Sequence, residues 1–191
     1  MKRFRALAQD KGAALIETAL VLGLLLMIAL GAFEYGMAFR EWLSVTNATR
    51  EGARLAAQAG DFVNPANPND DNADCLILEA TAGALRSLDA SQVVRVTIFE
   101  SDESGTFTAN QQRYRPAVSG DSPALLRCNG GWFSLGGNWP PSARDNEGSV
   151  RDWIGVRLEF RHDWITGFLW WNGSVTWTDD TVMRMEPNYD F

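Results

Sequence analysis

Histidine, cysteine and lysine are scarce in this 191-residue chain, and the scarcity excludes several classes of function. The single histidine, His162, lies beside Arg161 and Asp163 in a strand-like pattern, which favours a satisfied surface or edge residue over a general base. His162 and the two cysteines lack the spacing of metal ligands. The chain also has no glycine-rich phosphate loop, nucleophile elbow or His-Glu metal motif. We therefore expect no enzymatic activity, no cofactor, no metal site and no small-molecule substrate.

Positive charge is also scarce, and it is unevenly placed. The formal net charge is −7, which argues against binding to a phosphate backbone, since that function needs clustered lysine and arginine. Residues 1–12 nevertheless carry a net charge of +3, from Lys2, Arg3, Arg5 and Lys11 against Asp10. This leaves −10 for residues 13–191, where every basic side chain except His162 is arginine. We expect a basic leader, residues 1–12, followed by an acidic body with no nucleic-acid partner.

A long apolar segment follows the leader. Residues 13–33 contain only one ionisable side chain, Glu17, and a membrane-spanning helix needs about 20 apolar residues. Because short loops rich in lysine and arginine stay in the cytoplasm, the N-terminus is predicted inside and the rest of the chain outside. The pattern predicts a single-pass protein of the inner membrane, with residues 13–33 as the span and an extracytoplasmic, periplasmic body.

A secretory signal peptide is the alternative to a lasting membrane span. Ala29-Leu30-Gly31 before Ala32 has the small residues of a cleavage site. Three features count against it: the acidic Glu17 within the apolar segment, the length of that segment, and a helical pattern that continues past the supposed cut. We therefore expect the span to be retained.

The helical pattern continues beyond the apolar segment. Residues 34–60 contain no proline, and moderately apolar residues recur there at steps of three and four. These residues are predicted to form one face: Phe39, Trp42, Val45, Thr49, Ala53 and Ala56. Glu34 and Glu41 are predicted on other faces, and Gly60 is expected to end the helix. One helix is therefore expected from residue 13 to residue 59, with residues 34–60 as its extracytoplasmic part.

Residues 61–191 have the pattern of an α+β domain. A second helix is predicted at Cys75–Leu88, with Asp74 as its cap. Strands are predicted at residues 94–98 and 152–162, as a last strand or strand pair at 174–187, and as a short edge strand in RYRPAV, residues 113–118. Residues 102–150 are rich in glycine, proline, serine and asparagine and show no clear pattern. The predicted fold is α+β, with a long N-terminal helix and a second helix packed on an antiparallel sheet of three or four strands.

Several of these phrases together resemble one family. A basic leader ending at Gly12, Glu17 five residues later, FEYG (33–36) and TNATREGARLAAQAG (46–60) resemble the TadE/TadF-like minor pilins, or pseudopilins, of the tight-adherence (Flp) type IV pilus system. VMRMEP (182–187) is also similar to the end of these proteins. The resemblance implies a structural subunit that initiates, caps or otherwise supports assembly of a Flp-type pilus or a related secretion apparatus. Other pilin and minor-pilin subunits are the implied partners.

The resemblance also implies cleavage between Gly12 and Ala13 by a membrane-bound prepilin peptidase. The cut creates an amine on Ala13, about one helical turn from Glu17. Because a carboxylate in hydrocarbon costs about 3 kcal/mol on insertion scales, Glu17 is expected near an interface, neutral or paired. The new ammonium can pair with Glu17 of the same or a neighbouring subunit and set the register of assembly. The alternative is a glutamate that extends to the headgroups of a permanent anchor.

Cys75 and Cys128 are both predicted outside the cytoplasm, where disulfides persist. A bond between them closes a loop of about 50 residues and stabilises the fold by about 3–4 kcal/mol in the chain-entropy model. Two buried free thiols are the alternative. NPNDDNAD, residues 67–74, is expected to be a solvated loop, because it lacks the glycine and distal glutamate of a calcium-binding loop; calcium binding stays open as the alternative.

Seven of the eight tryptophans lie between residues 132 and 177. If the last two clear strands form a hairpin, four adjacent apolar residues lie near its tip: Phe168, Leu169, Trp170 and Trp171. Four such neighbours cannot all point inward, which favours contact with a partner or a membrane, with packing under a glycine-rich loop as the alternative. The alternative function is a signal-anchored, adhesin-like surface module that binds glycan or protein through this tryptophan-rich half.

Overall fold

The structure, a computed structural model, describes residues 3–66, 72–85, 88–117, 131–147, 151–167 and 172–187. Within these ranges it contains helices α1 (Arg3–Ala59) and α2 (Ala73–Ala84) and strands β1 (Val93–Ser101), β2 (Phe107–Pro116), β3 (Trp132–Gly137), β4 (Trp153–Asp163) and β5 (Ser174–Arg184). The predicted α+β class is confirmed. The chain forms two compact units, which are described separately below: Met1–Phe39 with Trp164–Gly173, and Arg40–Asp163 with Ser174–Phe191.

Helix α1 is longer than predicted, since it begins at Arg3 rather than at residue 13. Its end at Ala59 agrees with the prediction, and Gly60 follows directly. The predicted face is correct for Val45 and for the positions that follow it at three- and four-residue steps, Thr49, Ala53 and Ala56, all of which are fully buried. It is wrong for Phe39 and Trp42, which are exposed. Trp42 nevertheless packs edge to face on Phe160 of the core and on Trp177, with ring centroids 6.3 and 6.2 Å away, so it borders the core without being enclosed by it.

The five strands form one antiparallel sheet in the order β3-β2-β1-β4-β5, so the predicted count of three or four strands was too low. The RYRP residues belong to β2, which lies between β1 and β3 and is therefore an interior strand, not the predicted edge. Strand β3 went unpredicted because WFSLGG reads as a loop. Its Gly137 is needed there, since a Cβ atom at this position would lie 2.1 Å from the carbonyl oxygen of Gln111.

The core lies on one face of the sheet, where α1 and α2 pack. The alternation predicted for β4 is confirmed, because Ile154, Val156, Leu158 and Phe160 are fully buried. Gly52 of α1 allows the closest approach: a Cβ atom there would lie 2.3 Å from Oγ1 of Thr81 in α2 and 3.3 Å from Cγ1 of Val156. The absence of a side chain at Gly52 thus lets α1 contact α2 and the sheet together.

Helix α2 begins two residues earlier and ends four residues earlier than predicted. Its N-cap is Asn72, whose side-chain oxygen accepts a hydrogen bond from the backbone N–H of Cys75 over 3.2 Å. The predicted cap, Asp74, was wrong. Asp74 lies in the first turn of α2, and its buried carboxylate forms an ion pair with Arg144.

Candidate functional site

The N-terminal part of α1 carries the residues that the sequence predicts to serve processing and assembly. Gly12, Ala13 and Glu17 all lie on this helix, and the last two are exposed and one turn apart, about 6 Å along the axis. A Cβ atom added at Gly12 meets no atom within 4 Å, so no contact in the described structure requires glycine there. Their roles in cleavage and pairing stay predictions.

Beyond Glu17, α1 presents a continuous apolar surface. Its exposed large hydrophobic residues include Leu20, Val21, Leu22, Leu24, Leu25, Leu26, Ile28, Leu30 and Phe33. Exposing such side chains to water is unfavourable by about 25 cal/mol per Å² of apolar surface. By length and composition the helix is able to cross a membrane. The predicted span, residues 13–33, is therefore the part of α1 whose exposure to water is least favourable.

Glu34, the residue directly after the predicted span, is fully buried, contrary to the expectation of an outward face. Its carboxylate accepts hydrogen bonds from the backbone N–H of Ile165 over 2.5 Å and from that of Thr166 over 3.2 Å. Both donors belong to the connection between β4 and β5. Beside this contact the rings of Tyr35 and Trp164 pack edge to face, with centroids 6.4 Å apart. Glu34 and Tyr35 of the FEYG phrase thus hold the β4–β5 connection against the helix.

The β4–β5 connection exposes apolar surface at this position. Ile165 is 58% exposed although its backbone is bound by Glu34. Gly167 adopts a left-handed conformation (φ 55°), which favours glycine. The predicted contact residues Phe168, Leu169, Trp170 and Trp171 follow directly and lie outside the described residues, so their role stays a prediction.

A second buried glutamate, Glu41, pairs with the single histidine in the body. Nδ1 of His162 lies 2.7 Å from Oε2 of Glu41, and Gln92 donates to Oε1 of the same carboxylate over 3.3 Å. His162 is fully buried and stacks on Trp177, so it is neither the surface nor the edge residue predicted from the sequence. These contacts join α1 to β4, to β5 and to the segment directly before β1. This arrangement connects structural elements, and it leaves His162 enclosed by packing.

The TNATREGAR phrase packs α1 on the sheet and on α2. Oγ1 of Thr49 donates to Asp179 over 2.8 Å, and Thr181 donates to Thr49 over 3.2 Å, so a hydroxyl pair and a carboxylate join α1 to β5. Gly52 makes the close approach described above. Arg54 pairs with Glu51 on the exposed side of the helix. One face of the phrase therefore packs on the sheet while the other faces water.

The VMRMEP phrase lies at the opposite end of the chain and packs against the same helix. Met185 is buried, and its backbone N–H donates to the carbonyl oxygen of Asp152. The backbone N–H of Glu186 donates to the carbonyl oxygen of Ala57 over 2.7 Å. That carbonyl belongs to the last turn of α1, where carbonyl oxygens have no N–H partner within the helix. The phrase therefore caps the end of α1.

A buried charge network stabilises the junction of α1, α2 and β2. The Arg144 guanidinium contacts Asp74 over 2.5 Å and donates to the carbonyl oxygen of Gly60 over 2.6 Å. The Tyr114 hydroxyl donates to the other oxygen of Asp74. Burial, assisted by the negative charge of Asp74, raises the pKa of the Tyr114 hydroxyl far above its usual value. Losing one partner would leave a buried charge uncompensated, at a cost of about 3–5 kcal/mol.

The remaining site predictions are only partly within the described structure. Cys75 is buried and disulfide-bonded, but Cys128 lies outside the described residues, so their pairing stays a prediction. Residues 67–71 of the NPNDDNAD loop also lie outside. Of the tryptophans in the C-terminal half that the structure describes, Trp132 and Trp139 are buried in the core, and none is fully exposed. Trp132 and Trp139 therefore belong to the core, whereas Trp153, Trp164 and Trp177 are half-buried.

Sequence reasoning missed the roles of Glu34, Glu41 and Asp74, because a lone carboxylate usually indicates an exposed position. One available signal was spacing. Glu34 and Glu41 are seven residues apart, which is two helical turns, and Glu41 lies four residues before Val45 on the buried face. The spacing therefore placed both carboxylates on the side of α1 that is buried.

Residues 12–54 match the family model described as TadE-like protein. No curated protein and no solved structure gives a significant match. The matched range covers the predicted cleavage site, the apolar segment, Glu34 and the whole TNATREGAR phrase, but none of the sheet. The resemblance predicted from the sequence is thus confirmed over residues 12–54, which form a TadE-like N-terminal segment.

Proposed function

We propose that the protein is a membrane-anchored minor pilin, or pseudopilin, that supports assembly of a tight-adherence pilus or a related secretion apparatus. The main support for the proposal is that the family match and the apolar surface cover the same part of α1. The TadE-like match begins at Gly12, the predicted cleavage site, and covers the whole apolar surface of α1 up to Phe33. A helix with this surface is suited to a bilayer or to lateral packing against other apolar helices. Its partners are the inner membrane, other pilin subunits and a prepilin peptidase.

The orientation follows from charge. The basic leader, residues 1–12, stays in the cytoplasm and the acidic body lies outside. Cleavage after Gly12 leaves an ammonium on Ala13, and Glu17 then provides the opposite charge one turn away. In hydrocarbon the two charges are more stable together than apart, so a subunit is held at the register that pairs them.

We also propose that the connection between β4 and β5 contacts the membrane interface. Glu34 binds it one residue beyond the predicted span, at the level where the bilayer interface begins. Aromatic side chains such as Tyr35 and Trp164 are favoured at membrane interfaces because they combine an apolar ring with a polar group. The exposed Ile165 extends the apolar surface of the span at the same level. The connection thereby gives the protein a second contact with the interface.

The experiment compares two glycine substitutions in one helix. Gly12→Val is expected to accumulate a precursor heavier by the twelve-residue leader, because a branched side chain blocks entry of the backbone into a protease cleft. Gly23→Val is the matched control, since a Cβ atom is equally free of contacts there, and it is expected to be processed normally. Immunoblots of membrane fractions distinguish the two. Normal processing of Gly12→Val, or equal accumulation for both variants, would contradict the proposed cleavage.

Assembly is tested separately with Glu17→Ala. This residue lies beyond the cut, so the variant is expected at the mature size but absent from sheared pili and from complexes captured through other pilin subunits. Glu51→Ala is the matched control, because it removes an exposed glutamate from the same helix. Normal assembly of the Glu17→Ala protein would refute the pairing and leave a permanent anchor as the role of the span.

A further inference from the structure

The outer face of the sheet carries a row of residues with two arginines around a small side chain. Thr97 of β1 pairs in register with Arg113 of β2 on one side and with Arg157 of β4 on the other. Since neighbouring strands lie about 4.8 Å apart, the two arginine backbones are about 10 Å apart. Thr97 forms the floor between them and is almost completely covered. The row borders a cavity of about 230 Å³, which is lined by Arg95, Thr97, Phe107, Gln111, Arg113, Arg157 and Glu159.

The two arginines of this row have unused donors. Arg113 is only partly exposed, its Nε atom is buried, and among the described residues neither a hydrogen bond nor an ion pair satisfies its guanidinium. The buried Nε of Arg157 also has no hydrogen-bond partner among the described residues. Its guanidinium forms a long ion pair with Asp180, over 3.6 Å. Buried donors without partners are rare in native structures, and strain or a bound water or ion can explain them.

The charges around the cavity favour an anion. Arg95 is neutralised by Glu159, which it contacts over 2.6 Å, and Arg157 is only loosely paired with Asp180 over 3.6 Å, so Arg113 adds an uncompensated positive charge to the cavity wall. The guanidinium of Arg157 lies over the rings of Phe99 and Phe107, at 5.1 and 5.3 Å from their centroids. These rings restrict its position without providing an acceptor. A local excess of positive charge is notable in a body whose net charge is −10.

We infer that this cavity binds a small oxyanion, a phosphate or carboxylate group held between Arg113 and Arg157. The planar guanidinium offers parallel N–H donors that match both groups. A group placed over Thr97 would lie between Arg113 and Arg157, which both line the cavity. Glu159 limits the affinity, because its carboxylate lies in the same cavity. The inference is independent of the pilin proposal, since it involves only residues of the sheet.

The test is isothermal titration of the full-length protein in detergent micelles with inorganic phosphate, and in parallel with acetate, at constant ionic strength. Saturable binding is expected for at least one of the two anions. Arg113→Gln is expected to weaken it about tenfold or more, because a charge-assisted contact is lost. Arg161→Gln is the matched control: it removes the same charge from the same face of β4, but from an exposed residue that pairs with Asp163. The anion affinity of Arg161→Gln is expected to differ from that of the wild-type protein by less than about twofold.

A third variant distinguishes a built site from general charge attraction. Glu159→Gln removes the competing carboxylate and is expected to tighten binding several-fold. Thermal unfolding of each variant checks that the sheet is intact. Absence of saturable binding by the wild-type protein for both anions would overturn the inference. So would an equal loss in Arg113→Gln and Arg161→Gln, or unchanged binding in folded Arg113→Gln.

Discussion

The contact between Glu34 and the β4–β5 connection gives a sharp prediction, because one side chain holds two backbone donors. In Glu34→Ala both N–H groups, those of Ile165 and Thr166, lose their acceptor. A hydrogen bond to a charged group contributes about 1.5–3 kcal/mol, and both contacts are only part-buried, so the lower value applies to each. The free energy of local opening should therefore fall by about 3 kcal/mol.

The assay is deuterium exchange of peptides covering residues 164–167 in the full-length protein, reconstituted in lipid nanodiscs. A loss of 3 kcal/mol corresponds to about 100-fold faster exchange. Glu34→Gln should give an intermediate rate, since its amide oxygen still accepts but carries no charge. Glu51→Ala should leave the connection unchanged, because it removes an exposed carboxylate whose ion pair contributes little. Unaltered exchange at Ile165 and Thr166 in Glu34→Ala would refute the role assigned to Glu34.

Three further predictions concern the body. Gly52→Ala should lower the free energy of unfolding by about 1–3 kcal/mol through overpacking, whereas Gly83→Ala, with open space around it, should not be destabilised; chemical denaturation compares them. Because burial raises the pKa of Tyr114 above its usual 10, the folded state disfavours its ionisation, so stability should fall as the pH rises above about 10. Tyr114→Phe should be less stable at pH 7 but lose less stability between pH 9 and pH 11, as thermal melts would reveal; an equal loss in both proteins would contradict the buried hydroxyl. Mass spectrometry of non-reduced peptides should show Cys75 linked to Cys128, and recovery of Cys75 as a free thiol would refute the bond.

The elements that the sequence predicted well are those with a strong period. Strand β4 alternates without interruption over Ile154, Val156, Leu158 and Phe160, and its buried face follows directly from that alternation. The buried face of α1 was equally clear in its C-terminal part, from Val45 to Ala56. In both elements the local sequence pattern agrees with the final packing, so the pattern alone identifies the buried side.

The predictions that were wrong depend on contacts between distant parts of the chain. Asp74 is a plausible cap by local rules, but Arg144, seventy residues away in sequence, binds its carboxylate instead. Strand β3 has glycines that weaken any strand pattern, and it forms because β2 provides a partner. Glu34 depends on a connection that lies more than a hundred residues further along the chain. Local patterns contain no information about these partners.

A processed pilin-like subunit has a new N-terminus, so the first residue of the wild-type protein in the membrane distinguishes it from the alternatives. Peptide mapping of protein extracted from the inner-membrane fraction, in cells that express the associated prepilin peptidase, identifies the first residue. We expect Ala13 as the first residue, with the apolar segment retained and Glu17 as the fifth residue of the mature chain. An N-terminus at Ala32 would establish a secretory signal peptide, and an intact Met1 would leave an unprocessed anchor; either result would contradict the account.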